Sequence, residues 1–230
     1  RIEGEFLGPA ELAVRRGARL LDVLNHVPVD PELADTSSVF IRRERIRLEQ
    51  RRALRESLDR LERATMLALS DSETESQIRV REAEMVHQFA ERARTIEPTG
   101  NMVTSSAGRE LNVLLQDGDV IVIPQRTNVI QIVGEVNVPH AVQYRPDLTV
   151  HDYVTMAGGF SRRADRDTVL VMRANAEIVV GGSDTVIHPG DEIMVPPTID
   201  EKWFQNGIDL AQVIYQIAVA ASVVVRPFLP

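Results

Sequence analysis

The chain has 230 residues, of which 43% are hydrophobic and 26% are charged, so it is long and apolar enough for one large domain or two small ones. Its formal net charge of −8 argues against a nucleic-acid partner, because affinity for phosphate comes mostly from cationic side chains. The absence of cysteine excludes disulfides, thiolate nucleophiles and Cys-ligated metals.

The first residues, RIEGEF, contain no methionine and no secretory signal peptide. Their pattern is that of a β-strand whose beginning lies before Arg1. We therefore expect a fragment or a processed product of a longer protein, with any targeting segment in the part that precedes Arg1.

An internal repeat organises the chain. Residues 2–24 align with residues 132–154 at an offset of 130, and the same offset carries VFIRR at 39–43 onto VLVMR at 169–173. Ten of 43 ungapped positions are identical, whereas average composition would give about two or three. Because one offset holds over the whole block, the pattern indicates an internal duplication.

The ends of the two copies match at a different offset. DGDVIVIP at 117–124 resembles PGDEIMVP at 189–196 with a shift of 72, so the first copy carries about 58 additional residues between Arg43 and Leu115. In this insertion Leu54, Leu58 and Leu61 recur at helical spacing, and SDSETES at 70–76 is typical of a polar turn. A second apolar series follows, formed by Ile78, Met85, Phe89, Ala93 and Ile96.

These two series predict an amphipathic helical hairpin. Arginine and glutamate are dense on its other faces, often three or four residues apart. We expect the two helices to pack on each other and on the first copy. A docking arm for a neighbouring subunit or partner is the functional alternative.

The second copy carries clear local signals. VIQIVGEV at 129–136 alternates as a strand does, DTVLVMR at 167–173 is an apolar strand, and HPGDEIMVP at 188–196 is a tight turn that leads into a last strand. Between them, a short helix is predicted, with Thr149 as its cap, Asp152 at the acidic third position and Gly158 at its end. Each copy is therefore predicted to be a small α+β unit with a helix on one sheet face.

No motif predicts catalysis. The five histidines have no metal-ligand spacing, and Gly158-Gly159 and Gly181-Gly182 lie outside any phosphate-binding pattern. The sequence contains no GxSxG motif and no local pairing of carboxylates for acid–base work. We predict that the protein is not an enzyme and has no catalytic, cofactor or metal site; an enzyme whose site is assembled from distant residues is the weaker alternative.

The most apolar stretch is DLAQVIYQIAVAASVVV at 209–225. A helix from 208 to 225 would be about 27 Å long, close to the roughly 30 Å hydrocarbon core of a bilayer. Its polar residues recur every three or four positions, which gives one polar stripe. The residues alone leave two alternatives open, a membrane or pore helix and a helix buried against the preceding units.

In the membrane alternative, the polar stripe would face a lumen, because an aspartate that faces lipid is costly. The predicted lumen-facing residues are Asp209, Gln212 and Gln216. The predicted lipid-facing or interface residues are Trp203, Phe204, Leu210, Val213, Ile214, Ile217, Val219, Val223 and Val224.

The second copy resembles the SLBB (soluble-ligand-binding β-grasp) domain. The resemblance is carried by the G-E-x-x-x-P opening at 134–139, by LTVHDYVTMAGGF at 148–160 and by the PGDEIMVP ending. Repeated units of this kind, followed by an amphipathic helix, are similar to the bacterial outer-membrane polysaccharide export proteins, the Wza-like and KpsD-like group. That resemblance implies a closed ring of subunits, a periplasmic conduit for capsular or exported polysaccharide, and a barrel of C-terminal helices across the outer membrane.

The predicted fold is therefore α+β, with two tandem β-grasp (SLBB-like) units. The first unit spans 1–124, with the helical hairpin inserted at about 44–100; the second spans 125–200; and a C-terminal amphipathic or membrane helix spans 201–230.

The predicted function is a structural, ring-forming component of a polysaccharide export channel. The resemblance implies a location in the periplasm and outer membrane of a Gram-negative-type bacterium, and as partners copies of the same chain, the polysaccharide, the outer membrane and an inner-membrane export or co-polymerase protein. The alternative is a soluble periplasmic glycan-binding or adaptor module whose C-terminal helix packs in its own core.

Overall fold

The computed structural model describes residues 1–68, 76–106, 109–182 and 184–197. In chain order its elements are β1 (Ile2–Gly4), α1 (Leu20–Leu24), a 3-10 turn (Thr36–Ser38), β2 (Phe40–Arg42), α2 (Glu44–Ala68), α3 (Ser76–Arg94), β3 (Asn101–Val103), β4 (Ser105–Ser106), β5 (Arg109–Glu110), β6 (Val120–Ile123), β7 (Val129–Gly134), β8 (His140–Gln143), α4 (Val150–Met156), β9 (Val169–Met172), β10 (Ile178–Gly181) and β11 (Glu192–Val195). The predicted α+β class is confirmed.

Two mixed sheets organise these elements. The first sheet has the order β1-β6-β2-β3 and the second has the order β10-β9-β11-β7-β8, while β4 and β5 form a small hairpin. In each sheet the opening strand runs parallel to the closing strand, β1 beside β6 and β7 beside β11, and the remaining pairs are antiparallel.

The pairing registers reproduce both sequence offsets. Ile2 and Ile41 lie opposite Ile121 in the first sheet. Residues 132 and 171 lie opposite residue 193 in the second sheet. Residues 132 and 171 follow residues 2 and 41 by 130, and residue 193 follows residue 121 by 72. The four strands of the first sheet therefore have the same order, direction and register as β7, β11, β9 and β10 of the second, and β8 is an additional edge strand.

Each sheet has its own apolar core against a short helix. In the first, Leu20 and Val23 of α1 pack against the isoleucines of β1, β2 and β6. In the second, Val150, Tyr153 and Val154 of α4 pack against apolar residues of β7, β9 and β11. The sequence forms these cores because apolar residues alternate along the strands, so one side of each strand faces the helix.

The cap predicted for the helix of the second copy is confirmed. The Thr149 hydroxyl accepts a hydrogen bond from the Asp152 amide at 3.3 Å, and the Asp152 carboxylate accepts the Thr149 amide at 2.8 Å. This reciprocal pair is a capping box. Gly158 follows the helix with a φ of 78°, the left-handed conformation that ends helices.

The insertion lies at the hairpin that follows β2. In the second sheet β9 and β10 are joined by a tight turn in which the Arg173 amide donates to the Glu177 carbonyl at 2.8 Å. In the first sheet the corresponding Arg43 amide donates to the Gly100 carbonyl at 2.9 Å. The whole of α2 and α3 therefore occupies the position of a short turn.

The two inserted helices pack through a narrow seam. Leu54, Leu58 and Leu61 of α2 are buried, as the spacing predicted, and they form a cluster with Val86, Ala90 and Ala93 of α3. The prediction for α3 was wrong at Phe89, which is 39% exposed. The seam residue is its neighbour Ala90, because a small side chain there lets the helix backbones approach each other.

Candidate functional site

The predicted membrane residues lie outside the described part of the chain. This holds for Asp209, Gln212 and Gln216 of the polar stripe and for the apolar set Trp203, Phe204, Leu210, Val213, Ile214, Ile217, Val219, Val223 and Val224. Within the described residues, no helix combines the length and the apolarity that a membrane crossing requires.

A buried ion pair anchors the last turn of the first copy. The Arg43 guanidinium donates two hydrogen bonds to the Asp119 carboxylate, from Nε at 2.8 Å and from Nη2 at 2.7 Å. The same carboxylate accepts the Gln116 amide at 2.8 Å, and a third arginine contact reaches the Leu114 carbonyl at 3.1 Å. The hydrogen bonds that Arg43 donates to Asp119 raise the pKa of its guanidinium, so this side chain stays charged.

The second copy carries the same pair at the equivalent positions. Arg173 donates to the Asp191 carboxylate, which also accepts the His188 amide at 2.6 Å. The Asp191 side chain is 1% exposed, and burial raises the pKa of its carboxyl against the opposing effects of the His188 amide and Arg173. The first pair thus joins the end of β2 to the turn before β6, and the second joins the end of β9 to the turn before β11.

Sequence reasoning missed these pairs although their residues were in view. Arg43 and Arg173 end the aligned strands, and Asp119 and Asp191 stand in the aligned DGD and PGD turns. The repeat already contained this signal, because the two arginines are separated by the first offset, 130 residues, and the two aspartates by the second, 72 residues. Only the fold shows that the two blocks meet.

The Gly-Glu step that both copies share has a backbone reason. Gly134 has a φ of 85°, and a Cβ atom added to it would collide with the Val195 carbonyl oxygen. That oxygen accepts the Glu135 amide at 2.9 Å. Gly4 repeats the arrangement in the first copy, so glycine is required where the opening strand leaves each sheet.

The helical hairpin is fixed to the first sheet at its base. Gln50 of α2 accepts the Gly100 amide at 3.0 Å and donates to the Asn101 carbonyl at 3.4 Å. Arg47 and Arg51 of the same helix both pair with Glu97, which precedes β3. These contacts fix the base of the hairpin to the first sheet.

Further along the hairpin, Arg94 joins the two helices through carboxylates. It pairs with Asp59 at 2.8 Å, with Glu91 at 2.6 Å and with Glu62, whose pKa it lowers by hydrogen bonding. Glu62, His87 and Glu91 bring their ligand atoms within 4.8 Å of one another. Since the Arg94 guanidinium already compensates these carboxylates, the arrangement is an ion-pair network that supports the hairpin.

A cleft of about 400 Å³ opens beside β1 in the first copy. Val14, Arg15 and Val23 are among the residues that line it. The second copy has tyrosines at the positions of these two valines, and there the Tyr153 hydroxyl donates to the Arg145 carbonyl at 3.1 Å. Valines at these positions leave more room in the first copy than tyrosines would.

Comparison with known proteins finds a family match in the second copy and relatives along almost the whole chain. Residues 129–188 match the SLBB domain family. Two curated proteins of Escherichia coli, both named polysialic acid transport protein KpsD, are each 31% identical over 224 residues, which is 97% of this chain. The chain spans about 40% of the length of these relatives. The resemblance to the KpsD-like polysaccharide export proteins with an SLBB domain, which the motifs of the second copy predicted, is therefore confirmed.

Proposed function

We propose that the chain is a structural, ring-forming and non-enzymatic component of a bacterial capsular or exopolysaccharide export channel. The observation that carries this proposal is the 31% identity to the KpsD proteins over 97% of the chain. Because the similarity extends far beyond the SLBB match at 129–188, it includes the helical hairpin and the first sheet.

In this proposal both sheets are SLBB-type units that build the periplasmic wall of the channel, with unit boundaries at 1–124 and 125–200. The shared registers, the repeated Arg–Asp pair and the repeated glycine support it. Buried ion pairs add little net stability compared with apolar contacts, but they fix one arrangement of the chain. Repetition of such a pair at equivalent positions therefore indicates one unit used twice.

The segment at 201–230 enters the outer membrane in this proposal, with Asp209, Gln212 and Gln216 towards the lumen. The support is the spacing of polar residues in an otherwise apolar stretch. The polysaccharide passes along the ring axis, and an inner-membrane export or co-polymerase protein delivers it.

Liposome flotation tests the membrane part. The full chain is compared with a version that ends at Glu201, at low and at high salt. We expect the full chain to float with the vesicles at both salt concentrations and the shorter version to remain in the soluble fraction. Equal behaviour of the two versions would contradict a membrane role for the segment.

A matched pair of variants sharpens that experiment. Ile217→Glu places a charge on the predicted lipid side and should abolish flotation, because a charge in the hydrocarbon core costs about 2.5–3.5 kcal/mol or more. Gln216→Glu adds the same charge one residue away on the predicted lumen side and should leave flotation intact. Similar losses for both variants would refute the assigned faces.

A further inference from the structure

The loop at 14–18, which leads into α1, differs sharply from its counterpart at 144–148 in the second copy. The same turn closes both loops, because the amide of Ala18 and that of Leu148 each donate to the carbonyl three residues earlier, at 3.1 and 3.2 Å. The side chains nevertheless differ at four of the five positions, VRRGA against YRPDL. A comparison of these loops therefore separates the shared backbone turn from what the first copy does with it.

In the second copy, the arginine of this loop is fully engaged by its neighbours. The Arg145 amide donates to the Tyr153 hydroxyl at 2.8 Å, and that hydroxyl donates in turn to the Arg145 carbonyl at 3.1 Å. The Arg145 guanidinium pairs with Asp147 at 2.8 Å. Tyr144 and Leu148 pack against the apolar core of the second copy. A hydroxyl, a carboxylate and large side chains thus fill the space around this arginine.

The equivalent arginine of the first copy, Arg15, has lost all of these partners. Val14 and Val23 replace the two tyrosines, and Gly17 replaces the aspartate. Within the described part of the chain, neither the amide nor the guanidinium of Arg15 has a hydrogen-bond or ion-pair partner, and the same holds for the guanidinium of Arg16, which replaces a proline. The loop therefore changes from no net charge in the second copy to two positive charges in the first.

The cleft of about 400 Å³ lies at these replacements, since every residue of the loop at 14–18 lines it together with Val23. Two aspartates also line the cleft. The carboxylate of Asp119 is already paired with Arg43, so Asp117 is left as the carboxylate that opposes the two loop arginines. The lining therefore has a net positive charge and an arginine amide without an acceptor among the described residues, which suits an anionic ligand that also carries hydroxyl groups.

We propose that this cleft binds an acidic sugar unit of the exported polysaccharide, with the sugar carboxylate on the guanidinium groups of Arg15 and Arg16. A sugar hydroxyl accepts the Arg15 amide, at the place that the Tyr153 hydroxyl occupies in the second copy. A hydroxylated six-membered ring is similar in size to the tyrosine rings that the first copy lacks, and Val14, 48% exposed, offers an apolar surface to its face. The inference rests on the proposed export function, and it adds the chemical class of the cargo and the site that contacts it.

Equilibrium dialysis of the full chain against two labelled oligosaccharides tests the ligand class, whatever the assembly state of the protein. The acidic probe is hexagalacturonate, and the neutral probe is its carboxyl-reduced counterpart, which has the same number of rings and the same linkage. The acidic probe should bind saturably and the neutral probe should bind at least about tenfold more weakly, because it offers no charge-assisted hydrogen bond to the arginines. Binding of the acidic probe should weaken as the salt concentration rises.

Two variants test the site itself. Arg15→Gln deletes one guanidinium and should weaken binding of hexagalacturonate by about tenfold or more. Val23→Tyr returns the tyrosine of the second copy, which should fill the cleft and occupy the Arg15 amide, and it should weaken binding without removing a charge. The matched control is Arg163→Gln, which removes one exposed arginine of the second copy and should leave the affinity unchanged. Circular dichroism checks folding, and Val14→Tyr replaces Val23→Tyr if that variant is unfolded.

The outcomes separate this inference from the proposed function. Equal affinity for the two probes, or no saturable binding of either, would show that the cleft is not a site for acidic sugars, while flotation with liposomes would still support the export channel. An unchanged affinity in Arg15→Gln, or an equal loss in Arg163→Gln, would show that the acidic probe binds elsewhere. If the full chain binds the acidic probe through Arg15 but does not float, the sugar site stands and the membrane part of the proposed function fails.

Discussion

Removing Arg173 should destabilise the second copy in a way that depends on pH. The substitution Arg173→Met keeps an unbranched apolar stem and deletes the cation beside Asp191, a side chain that is 1% exposed. Breaking a buried pair by removing one partner costs about 3–5 kcal/mol. Since the Arg173 side chain is itself 15% exposed, water screens part of the loss, and we expect about 3 kcal/mol at pH 7.

The direction of the pH dependence follows from the raised pKa of Asp191. Without Arg173, the folded-state pKa of this carboxyl rises further above its unfolded value, because burial then acts with less opposition. The folded variant therefore binds a proton more tightly than the unfolded chain does. The destabilisation is small below the unfolded pKa and grows as the pH rises through the folded pKa.

Urea denaturation followed by circular dichroism, at pH 4 and pH 7.5, measures the difference between the variant and the unmodified chain. The double variant Arg173→Met/Asp191→Leu is the internal comparison, because it leaves no charge buried. It still loses the bond to the His188 amide and should cost about 1 kcal/mol. A loss below about 1 kcal/mol for Arg173→Met, or a double variant no more stable than the single, would refute the reasoning.

Three further predictions concern the backbone and the hairpin. Gly134→Ala should lower the free energy of unfolding, measured by urea denaturation, by more than about 2 kcal/mol, because the added Cβ collides with a carbonyl of β11. The control is Gly159→Ala: Gly159 has a φ of 84° but no atom within 4 Å of an added Cβ, so this variant should lose only about 1 kcal/mol to backbone strain. Leu58→Ala empties a fully buried seam position and should cost about 2–5 kcal/mol in thermal melts of helicity, whereas Leu48→Ala, 50% exposed, should stay within about 0.5 kcal/mol. The hydrogen bond with Arg94 lowers the pKa of Glu62, so this carboxylate stabilises the folded chain above its unfolded pKa, and that stabilisation is lost as the pH falls through its folded-state pKa. At pH 7, Glu62→Gln should therefore be less stable than the unmodified chain by less than about 1 kcal/mol, and in strong acid the two should be equally stable. Denaturation at both pH values measures the difference.

Local chemistry made part of the fold predictable. Thr149, Asp152 and Gly158 each carry a signal that acts within a few residues, so the limits of α4 could be placed from the sequence. The leucine spacing of α2 located its buried face in the same way. The two offsets predicted which strands correspond, and the registers around Ile121 and Ile193 follow them.

Features set by contacts between distant segments were not predictable. Phe89 and Ala90 suit an apolar stripe about equally, and the facing helix decides which of them lies at the seam. The strand β10 was missed because it is completed by its hairpin with β9. The partner of Arg43 lies 76 residues away, at Asp119, so no periodicity joins them.

The comparison of the two copies separates what the fold needs from what each surface does. Positions that hold the unit together are shared: the glycine after the opening strand, the buried arginine and the aspartate of the last turn. Positions on the outer faces are not shared. Glu3 and Arg42 pair on the first sheet, and the second sheet has valine and methionine at the equivalent places.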